Sequence, residues 1–203
     1  MQTKILAAAI SMAAAAALAG SANAAHFVGN YSVTANTSST GLQIGTQDLP
    51  GGIDFNLNSV GQTASEDLFK IYTNETDVDA DDLVGKAIKV MFSFTSPVAF
   101  SGSVNGTTTG VASGWYENGH VTWADPVIFN YTGGRLQVTL NDADFNKGKY
   151  GLDSGSYNGA KITANFKLLG AAVPEPTTWA MMIVGFFGVG AMVRSSRRKL
   201  ALA

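Results

Sequence analysis

Five carboxylates crowd into eight consecutive positions: Glu75, Asp77, Asp79, Asp81 and Asp82. Alternate aspartates place oxygens along one side of a loop, an arrangement that suits a hard cation such as calcium. A calcium loop of the EF-hand kind would need glycine at position 82 and a carboxylate at position 88. The chain has Asp82 and Ile88 there, so Asp77, Asp79, Asp81 and Asp82 are at most an irregular site. The plainer reading is a solvated acidic loop between two strands. A second run, Asp142, Asp144, Asn146 and Asp153, opens in the same way. Its glycine, Gly148, comes one place late, and Lys147 and Lys149 would oppose a cation. It reads as a connection rich in Asx turns. No resident cofactor is expected, and calcium is the one ion that the spacing offers.

Catalytic groups are sparse. The two histidines are His26 and His120, and nothing in their spacing fixes a shared site. No nucleophile elbow, zinc-protease helix, phosphate loop or dinucleotide glycine pattern occurs. A glycosidase needs two facing carboxylates, and outside the tail the only glutamates are Glu66, Glu75 and Glu117. The chain is therefore read as a non-enzyme, with a surface hydrolase as the remote alternative. Trp115, Tyr116, Trp123 and Tyr131 gather around one expected hairpin. Exposed rings stack on the C–H faces of sugars, which makes Trp115, Tyr116 and Trp123 candidate glycan contacts. Tryptophans are more often core fillers.

These groups need a scaffold, and the residue pattern says which. Ile88, Val90, Phe92 and Phe94 alternate with polar neighbours, as do Ile53, Phe55 and Leu57, then Leu136, Val138 and Leu140, then Ile162, Ala164, Phe166 and Leu168. A period of two marks half-buried antiparallel strands. Further strands are expected over 27–35, 67–73, 98–104, 109–116, 120–124 and 126–131. Turn signals fall at Pro50-Gly51-Gly52, Asn105-Gly106, Asn118-Gly119, Gly133-Gly134 and Asn158-Gly159. Residues 141–147 alone suggest a helical turn. The expected fold is all-β, an antiparallel β-sandwich of jelly-roll type.

The two ends differ from this body. Lys4, an alanine-rich apolar run to Gly20, and the small residues Ala22 and Ala24 stand in the order of a secretory signal peptide over residues 1–24. At the other end, residues 177–193 carry no charge and are followed by Arg194, Arg197, Arg198 and Lys199. Seventeen such residues are at the short limit for a membrane helix. A basic cluster behind them is a stop-transfer signal with its basic side in the cytoplasm. Ahead of the span, Pro174-Glu175-Pro176 is stiff, extended and short of two backbone donors, so it stays accessible beside the membrane. The expected division is a signal peptide at 1–24, an ectodomain at 25–172 and a tail at 173–203.

Those tail residues carry a resemblance. Pro174-Glu175-Pro176, then Trp179 and Ala180 at the head of the span, then Gly185-Phe186 and the arginine cluster, resemble the PEP-CTERM sorting tail in its PEPxxWA form. The likeness covers residues 173–199. It implies a substrate of an exosortase, a membrane-embedded processing enzyme of Gram-negative bacteria that also make exopolysaccharide. Ser195 and Ser196 interrupt the basic run, and residues 200–203 extend beyond it.

Charge and composition bound what remains. The chain holds 15 acidic and 13 basic residues and no cysteine, which excludes disulfide scaffolds, thiolate metal sites and cysteine nucleophiles. Setting aside Lys4, Glu175 and the four basic tail residues leaves the body with six more acids than bases. Binding to nucleic acid is not expected. The expected function is that of an exported surface or matrix protein associated with exopolysaccharide, or else a carbohydrate-binding module, with or without calcium, on the same route. The expected partners are signal peptidase and the secretion machinery, an exosortase, the inner membrane before processing, and exopolysaccharide. The protein would begin as an inner-membrane-anchored precursor and finish at the cell surface or outside the cell.

Overall fold

The computed structural model describes residues 25–124, 126–171, 182–183 and 185–187. The chain divides into two units at residue 171. In the second, the described residues 182–183 and 185–187 are helical. Among the described residues no helix is long and apolar enough to cross a membrane. The expected signal peptide with Ala22 and Ala24, the motif at 174–176, Trp179, Ala180 and the basic cluster at 194–199 all lie outside the described residues.

The first unit is all-β. Its strands are β1 (Ala25–Thr34), β2 (Gly45–Asp48), β3 (Ile53–Leu57), β4 (Thr63–Tyr72), β5 (Lys86–Ser96), β6 (Phe100–Ser113), β7 (Tyr116–Trp123), β8 (Val127–Tyr131), β9 (Gly134–Leu140), β10 (Ala143–Lys149) and β11 (Ala160–Ala171). One 3-10 turn covers Ser156–Asn158. The first sheet has the order β10-β7-β6-β5-β1-β3 and the second β2-β4-β11-β9-β8. The pairings within both are antiparallel. The result is a β-sandwich-like architecture.

Side-chain alternation explains how the sheets meet. Along β5, Ile88, Val90, Phe92 and Phe94 are buried while Lys89, Met91, Ser93 and Thr95 are exposed. On β11, Ile162, Ala164, Phe166 and Leu168 are buried in the same way. The two apolar faces share one core. Phe55 of the first sheet stacks on Phe166 of the second with ring centroids 4.7 Å apart. Phe92 meets Phe166 edge-on at 5.7 Å. Each such ring contributes about 1.5–3 kcal/mol by leaving water.

The structure departs from the sequence pattern in four places. Asn105-Gly106 is no turn: β6 runs straight through it, with Asn105 opposite Lys89 and Gly106 opposite both Ile88 and Trp123. A Cβ on Gly106 would lie 2.6 Å from the Trp123 ring, so the glycine makes room rather than bending the chain. Asn118-Gly119 is likewise inside β7. The β6–β7 turn falls earlier, at Gly114-Trp115, where Gly114 adopts a left-handed φ of 61°, open to glycine without strain. Residues 143–149 form β10 instead of a helical turn, because Phe145 finds its burial against Gly119 across the β7 pairing. Strand β2 has no apolar alternation to announce it.

Candidate functional site

The early β6–β7 turn divides the two tryptophans. Trp123 ends β7 on the inward parity of Gly119 and Val121 and is 8 % exposed. Its indole N–H donates to the carbonyl of Asn141 at 3.1 Å, which satisfies the one polar atom of the ring. Trp123 is a core residue and leaves the set of candidate glycan contacts. Trp115 sits in the turn and is 64 % exposed, with Tyr116 beside it at 49 %.

The residue that follows β10 completes the cluster. Tyr150 is 67 % exposed, and its ring meets Trp115 edge-on at 5.3 Å, the planes 89° apart. The backbone N–H of Tyr150 donates to the carbonyl of Trp115 at 2.9 Å. Tyr150 takes a φ of 59°, a region costly for a residue with a bulky side chain. The hydrogen bond and the ring contact together hold that conformation. Two cations complete the cluster. The Lys147 ammonium stands 5.5 Å from the Tyr116 ring centroid, and the Lys149 ammonium stands 5.4 Å from that of Tyr150. Lys149 is also directly opposite Tyr116 in the β10–β7 register. Cation–π attraction at such exposed sites is worth about 0.5–1 kcal/mol. The cluster is an exposed set of three rings with two lysines at its margin, positioned by backbone pairing.

Sequence reading found Trp115 and Tyr116 but missed Tyr150 and the roles of Lys147 and Lys149. Their proximity depends on β10 pairing with β7. The signal for that was Phe145, an apolar residue between the polar neighbours Asp144 and Asn146, which alternates like a strand.

The acidic run does something different. Asp81 accepts the backbone N–H of Gly41 at 2.7 Å, and Glu75 accepts that of Gln43. Asp82, only 4 % exposed, accepts the N–H of Asp79 at 2.9 Å. Asp77 accepts the hydroxyl of Thr76. From the other side, Glu117 accepts the N–H of Val78 at 2.7 Å, and Gly110 donates to the carbonyl of Asp82. The carboxylates thus fasten the 74–85 loop to its neighbours. Among the described residues no three histidine or carboxylate side chains converge as a metal site. Burial raises the pKa of Glu75, and the neighbouring charges of Asp82, Asp81 and Asp79 raise it further against the Gln43 bond. Burial also raises that of Asp82. The Gly41 hydrogen bond lowers that of Asp81, with help from Lys86.

The histidines stay apart. His26 contacts Asp54 at 2.6 Å, on the β1–β3 side of the first sheet. His120 contacts Asp144 at 2.6 Å, on the β7–β10 side. Strands β6 and β5 lie between the two pairs, so no two-histidine site forms. Compared with family models, with curated proteins and with solved structures, the chain has no match.

Proposed function

We infer that this is an exported protein of the surface or extracellular matrix of a Gram-negative bacterium, sorted by an exosortase and structural in role. Its body holds polysaccharide through Trp115, Tyr116 and Tyr150. The routing rests on the tail residues and their resemblance. The binding role rests on one observation, the Trp115 indole held two-thirds exposed against Tyr150. Solvating so much apolar ring costs free energy unless a ligand covers it. A pyranose does so through its C–H face while its hydroxyls remain in water. The chain's repeated crossing between sheets supports a jelly-roll-like wiring for the body.

The test is co-sedimentation of residues 25–171 with the host's own exopolysaccharide, with calcium and with a chelator. The core cluster lies entirely between Phe27 and Leu168, so this piece retains it. Saturable binding that Trp115→Ala weakens at least about tenfold supports the reading, since a central aromatic anchor is commonly worth that much. Binding lost in chelator would bring Asp77, Asp79, Asp81 and Asp82 back as calcium ligands. Absence of binding in both conditions would leave a passive structural protein.

A further inference from the structure

We propose that the Trp115–Tyr116–Tyr150 cluster takes an acidic polysaccharide, one bearing sugar carboxylates, and that Lys147 and Lys149 receive that charge. The proposal rests on the binding role given above and names the class of chain bound.

Charge distribution carries it. The body has six more acids than bases, yet two of its lysines stand two positions apart on one edge strand, beside the only exposed tryptophan among the described residues. The described residues form three ion pairs, His26–Asp54, His120–Asp144 and Lys161–Asp67. Lys147 and Lys149 take part in none of them. Of the carboxylates on neighbouring segments, Asp153 forms no ion pair with either lysine, and three others are engaged elsewhere. Glu117, opposite Gly148 in the register, holds the N–H of Val78. Asp144 is in contact with His120. Asp77, whose oxygen lies 3.3 Å from where a Cβ on Gly151 would stand, accepts the Thr76 hydroxyl.

Geometry agrees with this. An ammonium has three donors, and a ring face attracts its charge without using up all of them. Each lysine is thus steered to the rim of the rings with donors left for a ligand oxygen. Strand β10 ends the ladder of its sheet, and residues 151–155 pack along it at Asn146 and Gly148, so a bound chain would lie on the exposed rings and not add to the sheet as a strand. The register shift between Phe145 and Gly148 is a bulge of the kind that re-aims side chains at sheet edges. Here it lies beside both lysines. A sugar stacked on Trp115 would thus present a ring carboxylate to a cation already in place. Charge-assisted hydrogen bonds from ammonium to carboxylate are about twice as strong as neutral ones. Single-stranded nucleic acid also joins negative charge to stacking faces, so single-stranded DNA is the competing ligand in the test.

The probes are polygalacturonate and the same polymer with its carboxylates methyl-esterified, which keeps the backbone and removes the charge. Affinity electrophoresis of residues 25–171 should show polygalacturonate bound at least about tenfold more tightly than the ester. Lys147→Gln with Lys149→Gln should bring that ratio close to one. Trp115→Ala should weaken both polymers. Equal affinity of the natural chain for the two polymers, still sensitive to Trp115, would overturn the acid preference and leave the aromatic platform standing. Failure to bind either polymer would overturn the proposal and count against the platform as well. A preference indifferent to the lysine changes, or tighter binding to single-stranded DNA, would also overturn it.

Discussion

The side-chain oxygen of Asn146 accepts the backbone N–H of Thr73 at 2.8 Å, joining the bulge of β10 to the end of β4. On its other side the amide nitrogen donates to the carbonyls of Asp153 and Gly155. Asn146 is fully buried, with a φ of 52°, a conformation asparagine tolerates better than most residues. One amide thus stands in for a strand where three segments meet and no ladder forms. Asn146→Asp keeps the acceptor but replaces the donor with a carboxylate facing two carbonyls. It should lower the unfolding free energy by about 3 kcal/mol, read from the urea midpoint at neutral pH. A shift no larger than that of an exposed control such as Asn56→Ala would refute this role.

Gly119 and Phe145 form a second such pair. A Cβ on Gly119 would lie 2.2 Å from the Phe145 ring, so Gly119→Ala should cost about 1–3 kcal/mol through overpacking. Phe145→Leu alone should cost less than about 3 kcal/mol. The double variant should be more stable than the sum of the two losses implies, because the smaller side chain yields the space. Strict additivity in thermal unfolding would show that the contact is not what requires glycine.

Stability should peak in mildly acidic solution. Burial raises the pKa of Glu75, Asp82 and Glu66, so the folded chain binds those protons more tightly than the unfolded one. As pH falls from neutrality through these raised values towards the ordinary carboxylate range, stability rises. The pKa of Asp67 is lowered by hydrogen bonds from Lys161 and Thr163, and that of Asp81 by its bond from Gly41. Their contribution is present above the ordinary carboxylate range and is lost as pH falls below it. A melting series from pH 8 to pH 3 should therefore rise and then fall. Glu75→Gln should flatten the rising limb. A natural chain whose melting temperature only decreases from pH 7 downward would contradict this.

The tail has its own test. With Pro174, Glu175 and Pro176 all changed to alanine, the protein should remain in the membrane fraction of its host, while the natural sequence is processed and released. Equal release of both would end the exosortase reading and leave a plain anchor.

The fold was legible wherever apolar and polar residues alternate without interruption, as in β3, β5, β9 and β11. It was misread at Asn105-Gly106 and Asn118-Gly119, because a glycine that turns the chain and one that admits a neighbour's ring look alike in sequence. The difference lies in what stands across the sheet: Trp123 in one place and Phe145 in the other. The same displacement hid half of the site. With the turn at Asn118-Gly119, Trp115 and Trp123 belong to the two facing strands of one hairpin. With the turn at Gly114, one caps the hairpin and the other enters the core. Tyr150 was out of reach without the β10 pairing, since its contact with Trp115 is tertiary. The acidic run was legible as a loop, but its hydrogen bonds to Gly41, Gln43 and Asp79 were not, because backbone donors leave no trace in sequence.

The pairing of β11 with β4 brings together residues some hundred positions apart, as in the hydrogen bond between Ser65 and Asn165. Strand β11 also pairs with β9, so it is the seam of the second sheet. Chain synthesis runs from the N-terminus, and β4, which has β2 on one side from the start, must wait for nearly the whole body before its second partner exists. Such distant pairings make folding slow. The unfolded interval they impose is the interval in which a chain can still be threaded through a narrow channel.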